Sequence, residues 1–232
     1  DLLIASHNGI NNFNLKNKKL EKILQVEPDL IKNRCNDGAS DAYGRFWFGT
    51  MQNNISPEAT DIELVENSGS IYSINPDLSL IKHENNIGIT NTFVWSPDNT
   101  KFYFTDTLTG IIFSYDFDIR NGTISNKKEF AKFERGFPDG ATIDSEGYLW
   151  SCRWGGSCVV RFNPNGKVDD VIELPVKNIT NCTFGGSNLD TLFITTARWG
   201  MSDDELKKNP EAGGIFSINL NVKGIPDNIF RG

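Results

Sequence analysis

Histidine is scarce: the 232 residues carry only His7 and His83. Neither lies in a polar cluster of the sequence, and both read as surface residues. Ser-His-Asp catalysis and histidine-rich zinc sites are therefore disfavoured. Cysteine is nearly as rare. Cys35, Cys152, Cys158 and Cys182 show neither a CxxC spacing nor the density of a disulfide framework, which points to reduced thiols in a cytoplasmic protein. No apolar run approaches the ~20 residues of a membrane span, and no signal-peptide pattern opens the chain. Positive charge is in deficit too. A formal net charge of −7 argues against nucleic acid or an anionic membrane as main partner, and it permits a cation. Finally, helical periodicity is almost absent.

In its place run short aromatic and β-branched stretches broken by Gly, Asn, Asp and Pro, the mark of an all-β chain. The 16 Phe allow a sizeable core. Four segments share one shape, a polar start, a hydrophobic strand, a turn and an aromatic strand: NDGASDAYGRFWFGT (36–50), NTFVWSPDNTKFYFTD (91–106), DGATIDSEGYLWSC (139–152) and NCTFGGSNLDTLFITT (181–196). Each is followed by a further strand ending in a polar turn: GSIYSINPD (69–77), GIIFSYDFD (110–118), SCVVRFNPNG (157–166) and GGIFSINLN (213–221). A partial fifth copy, NGINNFNLK (8–16), lies at the start. Successive anchors Trp47, Tyr103, Trp150 and Phe193 stand about 43–56 residues apart, the repeat of four-stranded propeller blades. Isolated blades cannot bury both faces, so the repeats stack around an axis. The expectation is one β-propeller domain over residues 1–232 with about four to five blades present. Within it, Asp41 to Gly44 reads as a tight turn, and 202–210 as a short helix capped by Ser202 and stopped by Pro210.

Aligning the copies on their turns brings Asn36, Asn91, Asp139 and, with a one-residue adjustment, Asn181 into register. In a propeller these positions converge at one end of the central channel, where Asp and Asn oxygens suit a hard cation. The alternative is that these residues simply make the turns entering each strand. That alternative leaves unexplained why Arg34, a bidentate binder of oxyanions, sits two residues from Asn36. Cys35 stands between them, where a cation could lower its pKa, but strand alternation points it away from both. Trp154-Gly155-Gly156 and Arg198-Trp199-Gly200 read either as a pocket mouth or as loop packing.

At these residues the chain resembles the gluconolactonase/regucalcin (senescence marker protein) family of six-bladed propellers. The matching motifs are NRCNDGASDAYGRFWFGTM (33–51), WSPD (95–98) with YFTDT after it, FPDGATIDSEGYLW (137–150) and TTARWGM…PEAGGIFSI (195–218), in family order over nearly the whole chain. The resemblance implies that Asn91 and Asp139 ligate a single divalent metal (Ca, Zn, Mn, Mg or Fe). It implies that Arg34 and Asn36 bind substrate; Asn181, by its place in the series, is expected to add a contact. The substrate would be a small sugar lactone, hydrolysed with Asp139 as general base. The rival readings are a non-catalytic cation-binding propeller or scaffold, and a hydrolase of other esters. Two departures stand out: Thr92-Phe93 replaces a usual Gly-Leu, and Asn54 stands where some relatives carry a substrate-contacting carboxylate. The family's further glutamate ligand would precede residue 1, so the expectation is an N-terminally truncated ring, oligomeric through exposed blade edges or inactive.

Overall fold

The computed structural model describes every residue except Asn8. Short turns between successive runs leave each strand no partner nearer than the next, so the chain folds as a series of antiparallel meanders. Contacts divide it into two units.

The first unit comprises Asp1–Thr90, Ile119–Thr123 and Asn228–Gly232. It holds a three-stranded sheet, β1 (Leu2–Ser6), β2 (Gly9–Phe13) and β3 (Leu20–Leu24), and a four-stranded one. The latter runs β4 (Asn33–Ser40), β5 (Phe46–Gln52), β6 (Gly69–Ile74) and β7 (Leu80–Ile87) in chain order. Ile10, Cys35, Phe48, Tyr72 and Ile74 form its core cluster.

The second unit comprises Asn91–Asp118 and Ile124–Asp227. Its first sheet is β8 (Thr90–Trp95, whose first residue falls in the other unit), β9 (Lys101–Asp106), β10 (Ile111–Asp118) and β11 (Thr123–Lys132). Next comes β12 (Phe137–Ile143), β13 (Leu149–Trp154), β14 (Cys158–Phe162) and β15 (Val168–Glu173). The last is β16 (Asn178–Gly185), β17 (Thr191–Ala197) and β18 (Ile215–Asn219). Five blades are therefore present, as the repeat pattern predicts. Middle strands such as β6 and β13 are almost wholly buried, while the outer β3, β11 and β15 are largely exposed. β6 and β13 are thus buried on both faces, whereas the outer strands lie open to solvent.

One local device recurs in both units. Asp41 Oδ1 accepts the backbone N–H of Tyr43 (2.9 Å) and Arg45 (3.0 Å), closing the expected turn in which Gly44 takes φ +92°. Its Oδ2 accepts Trp47 Nε1 (2.9 Å) and Arg45 Nη1 (3.2 Å). Asp144 repeats the pattern with Glu146 N, Tyr148 N and Trp150 Nε1, each at 3.0 Å, and with Arg161 Nη2 at 2.6 Å. A single carboxylate therefore ties turn, indole and guanidinium together in each copy, and both carboxylates are fully buried.

One expectation is corrected here. His83 is half-buried rather than exposed: it stacks on Trp47 at 4.2 Å between ring centroids and bonds Ser73 Oγ at 2.8 Å. Burial, with Arg45 adding to it, pushes its pKa down to about 4. His7 is exposed, as expected. The expected helix is α1 (Asp203–Lys208), where Ser202 and Glu205 form a reciprocal capping box. No helix among the described residues is long and apolar enough to cross a membrane.

Candidate functional site

The residues singled out by register sit at irregularities of the innermost strands. In β4 the pairing jumps from Cys35↔Thr50 to Gly38↔Phe48, so Asn36 and Asp37 together face one residue. In β12 it jumps from Pro138↔Arg153 to Ala141↔Ser151, which places Asp139 and Gly140 in the same two positions. In β8, Thr92 after Asn91 takes φ +61°. A bulge kinks a strand and re-aims side chains that regular alternation would send elsewhere. Asn36 and Asp139 therefore share one structural position as well as one sequence position.

Asn181 does not share it. In β16 the pairing passes from Ile179↔Thr196 to Cys182↔Ile194 with Thr180 inserted, so Thr180 matches Asp139 and Asn181 matches Gly140. The one-residue adjustment made in aligning the copies is thus a real slip along the strand. Asn181 Oδ1 accepts Cys182 N at 2.8 Å, as Asp37 Oδ1 accepts Gly38 N at 2.8 Å. Asn181 is exposed and still lies against Asp139's strand, because a Cβ on Gly140 would fall 2.3 Å from its Cγ. A side chain at 140 would have to displace Asn181.

Within the second unit a short relay holds this cluster. Thr107, in a 3-10 turn spanning Thr107–Thr109, donates its hydroxyl to Pro138 O at 2.8 Å. Having spent its one proton there, it accepts from Asn91 Nδ2 at 2.9 Å. Asn91 is thereby fixed with its Oδ1 on the opposite side of the amide. Thr92 Oγ1 donates to Asp139 O at 2.7 Å. Asn91 is buried and Asp139 half-buried. Thr107 closes the YFTDT stretch, but its bonding role was not legible there, since its partners lie 16 and 31 residues away.

Within the first unit, Arg34 Nη1 donates to Asn36 Oδ1 (2.7 Å) and Cys35 O (3.0 Å), and Nη2 donates to Asn54 Oδ1 (2.9 Å). Asn36 Nδ2 donates to Thr90 O at 2.8 Å. Arg34, Asn36 and Asn54 are all half-buried. Burial, as the largest influence, draws the Arg34 guanidinium below its ordinary value. Behind it stands Glu27, which no sequence signal marked. Its carboxylate accepts Asn33 Nδ2 (2.7 Å), Thr50 Oγ1 (3.0 Å) and Tyr72 OH (2.9 Å), anchoring the start of β4.

Cys35 is buried, and its thiol is pushed up to about 12 by burial and then by Glu27, with Arg34 offsetting only part. A thiol so placed is protonated at neutral pH and is no nucleophile. All four cysteines are buried and free. Trp154 pairs with Phe137 in its sheet, and Trp199 accepts Asn178 Nδ2 on its backbone oxygen at 2.8 Å.

The donor chemistry of Asn91 and Asp139 fits a hard divalent cation, since a fixed amide oxygen and a carboxylate are the ligands such ions take. Among the described residues, no group of three or more His, Cys, Asp or Glu gathers as an alternative metal cage.

Residues 1–198 match the family model described as SMP-30/Gluconolactonase/LRE-like region. Regucalcin from Gallus gallus is 38% identical over 221 residues, covering 94% of this chain and 73% of that protein. The structure of a calcium-binding regucalcin from Agrobacterium tumefaciens superposes with a TM-score of 0.90 at 31% identity, over 99% of this chain and 75% of the other. A gluconolactonase from Xanthomonas campestris gives a TM-score of 0.68 at 25% identity, over 83% and 64% of the two chains. The blades are those of a β-propeller.

Proposed function

Because the chain belongs to the SMP-30/gluconolactonase/LRE-like family, we propose that it hydrolyses a sugar lactone to the corresponding acid in a cation-dependent reaction. The observation that carries this reading is the shared bulge position of Asn36 and Asp139, with Arg34 bonded to the first and Asn91 held by Thr107. Asn91 and Asp139 would hold the cation, which when bound polarises the lactone carbonyl and stabilises the oxyanion.

The remaining work falls to the chain's own side chains. Arg34 has only donors to offer and Asn36 orients it, so together they grip ring and hydroxyl oxygens. Asn181 adds a contact at the edge. The Asp139 carboxylate takes a proton from the attacking water as general base. Water oxygen bonds to the carbonyl carbon, the ring C–O bond breaks, and the ring oxygen leaves as a hydroxyl carrying a proton. Cys35 and the two histidines take no part.

Acid release from a panel of aldonolactones, followed in a pH-stat with and without divalent cation, tests the proposal. Asp139→Asn, shown by circular dichroism to be folded, is expected to lose about a hundredfold or more in rate. A variant that opens gluconolactone at the parent rate overturns it. The description of the Agrobacterium relative as calcium-binding favours one second reading, a propeller that binds cations without turnover. That reading predicts calcium uptake by titration and no acid release from any lactone.

A further inference from the structure

Two arginines taken out of water in this protein meet carboxylates. Arg45 pairs with Asp41 at 3.2 Å, and Arg161 lies against Asp144, Glu146 and Asp169 at 2.6, 2.9 and 2.7 Å. Arg153 is fully enclosed and donates to the carbonyls of Phe133, Arg135 and Gly136, which gives it a purely structural role.

Arg34 departs from the carboxylate-paired arginines and differs from Arg153 in being only half-buried. Its three hydrogen bonds end on neutral oxygens, those of Cys35, Asn36 and Asn54. Its Nε is buried without a partner, as Arg153 Nη1 is. Among the described residues no carboxylate forms an ion pair with it, and the neighbouring Cys35 thiol stays protonated at neutral pH. Its side chain is nevertheless half-buried rather than enclosed, as are Asn36 and Asn54, so a ligand can reach all three from solvent.

A partly desolvated guanidinium held rigid by two amides, with no countercharge, is built to receive one. Amides orient the planar fork without neutralising it. A carboxylate arriving with the ligand would supply the missing charge and charge-assisted hydrogen bonds, which a neutral hydroxyl supplies only weakly.

Resting on the lactonase reading, we propose that the corner formed by Arg34, Asn36 and Asn54 takes an anionic group, so that the substrate is a sugar lactone bearing a carboxylate. Asn54 is the residue that sets this preference. An acid at position 54 would sit where the amide now accepts from Nη2 and would occupy the guanidinium itself.

The test compares glucarolactone, which carries a carboxylate, with gluconolactone, which does not, using the full chain loaded with divalent cation. The parent is expected to show a kcat/KM at least about tenfold higher for glucarolactone, with the preference shrinking as salt is raised. Asn54→Asp should lower that ratio about tenfold or more, and Asn54→Gln should retain it. Calorimetric titration with glucarate, and with gluconamide as the neutral control, reads binding without turnover. Glucarate affinity should fall about tenfold in Asn54→Asp. Equal kcat/KM for both lactones, with a ratio unmoved by Asn54→Asp, overturns the proposal and leaves the lactonase reading intact. If neither lactone is opened, the lactonase reading fails. In that case Asn54-dependent glucarate binding still supports the anionic corner, and its absence overturns the corner as well.

Discussion

Thr107→Val removes one hydroxyl from the join between Asn91 and Pro138 and almost nothing else. The side chains are isosteric, and the local turn is held by Asp106 Oδ1 accepting Leu108 N at 3.2 Å, so no cavity and little backbone change should follow. What disappears is a bond accepted at 2.9 Å and one donated at 2.8 Å, both between buried groups. Each is worth about 1 kcal/mol net, and depriving buried Asn91 Nδ2 and Pro138 O of these partners adds further desolvation cost of about 1–3 kcal/mol. The expected loss of stability is about 2–4 kcal/mol. Thr107→Ser keeps the hydroxyl and loses one methyl, about 1 kcal/mol. Urea unfolding followed by tryptophan fluorescence measures both variants. Calcium or manganese titration then asks whether Asn91, released from Thr107, still presents its oxygen; affinity about tenfold weaker in the Val variant alone is expected. Equal stability of the Val and Ser variants, together with unchanged cation affinity in both, would refute the relay.

Two further outcomes follow from buried charge. Native His83 titrates at about 4, below an unfolded value near 6.5, so the unfolded chain binds the proton first as pH falls. Its contribution to stability is complete above about pH 6.5, declines between 6.5 and 4 by up to about 3 kcal/mol, and is flat below. Urea midpoints across that window should lose this slope in His83→Gln; an equal slope in both proteins contradicts the assignment. Asp41→Asn leaves Arg45, whose side chain is 3% exposed, with carbonyl partners such as Ile119 O but no countercharge, and should cost about 3–5 kcal/mol. Asp144→Asn leaves Arg161 with Glu146 and Asp169 and should cost only about 1–3 kcal/mol by the same unfolding assay, so the reverse order would defeat the argument.

Much of the fold was legible because blades are built from neighbours in sequence. Each hairpin closes through contacts a few residues apart, as Asp41 does with Tyr43, Arg45 and Trp47. The spacing of the copies, the turn at Gly44 and the capping box of Ser202 and Glu205 all follow from local chemistry. Misreadings arose where the partner is distant. His83 looked exposed because its stacking partner Trp47 lies two strands away. Asn181 aligned only after an adjustment because the placement of a bulge is decided by strand pairing and not by the residues within it.

The candidate site divides in the same way. Sequence alone determined that Asn36, Asn91 and Asp139 recur in register in three of the copies, and that Arg34 stands beside the first, because repeats keep register along the chain. Tertiary structure alone decided how those residues are held and with what charge. Thr107 orients Asn91, Glu27 anchors the strand behind Arg34, and Asn54 bonds the guanidinium without neutralising it. The physical reason is range: periodicity is a property of neighbouring residues, whereas desolvation and hydrogen-bond partnership depend on atoms the fold brings in from elsewhere.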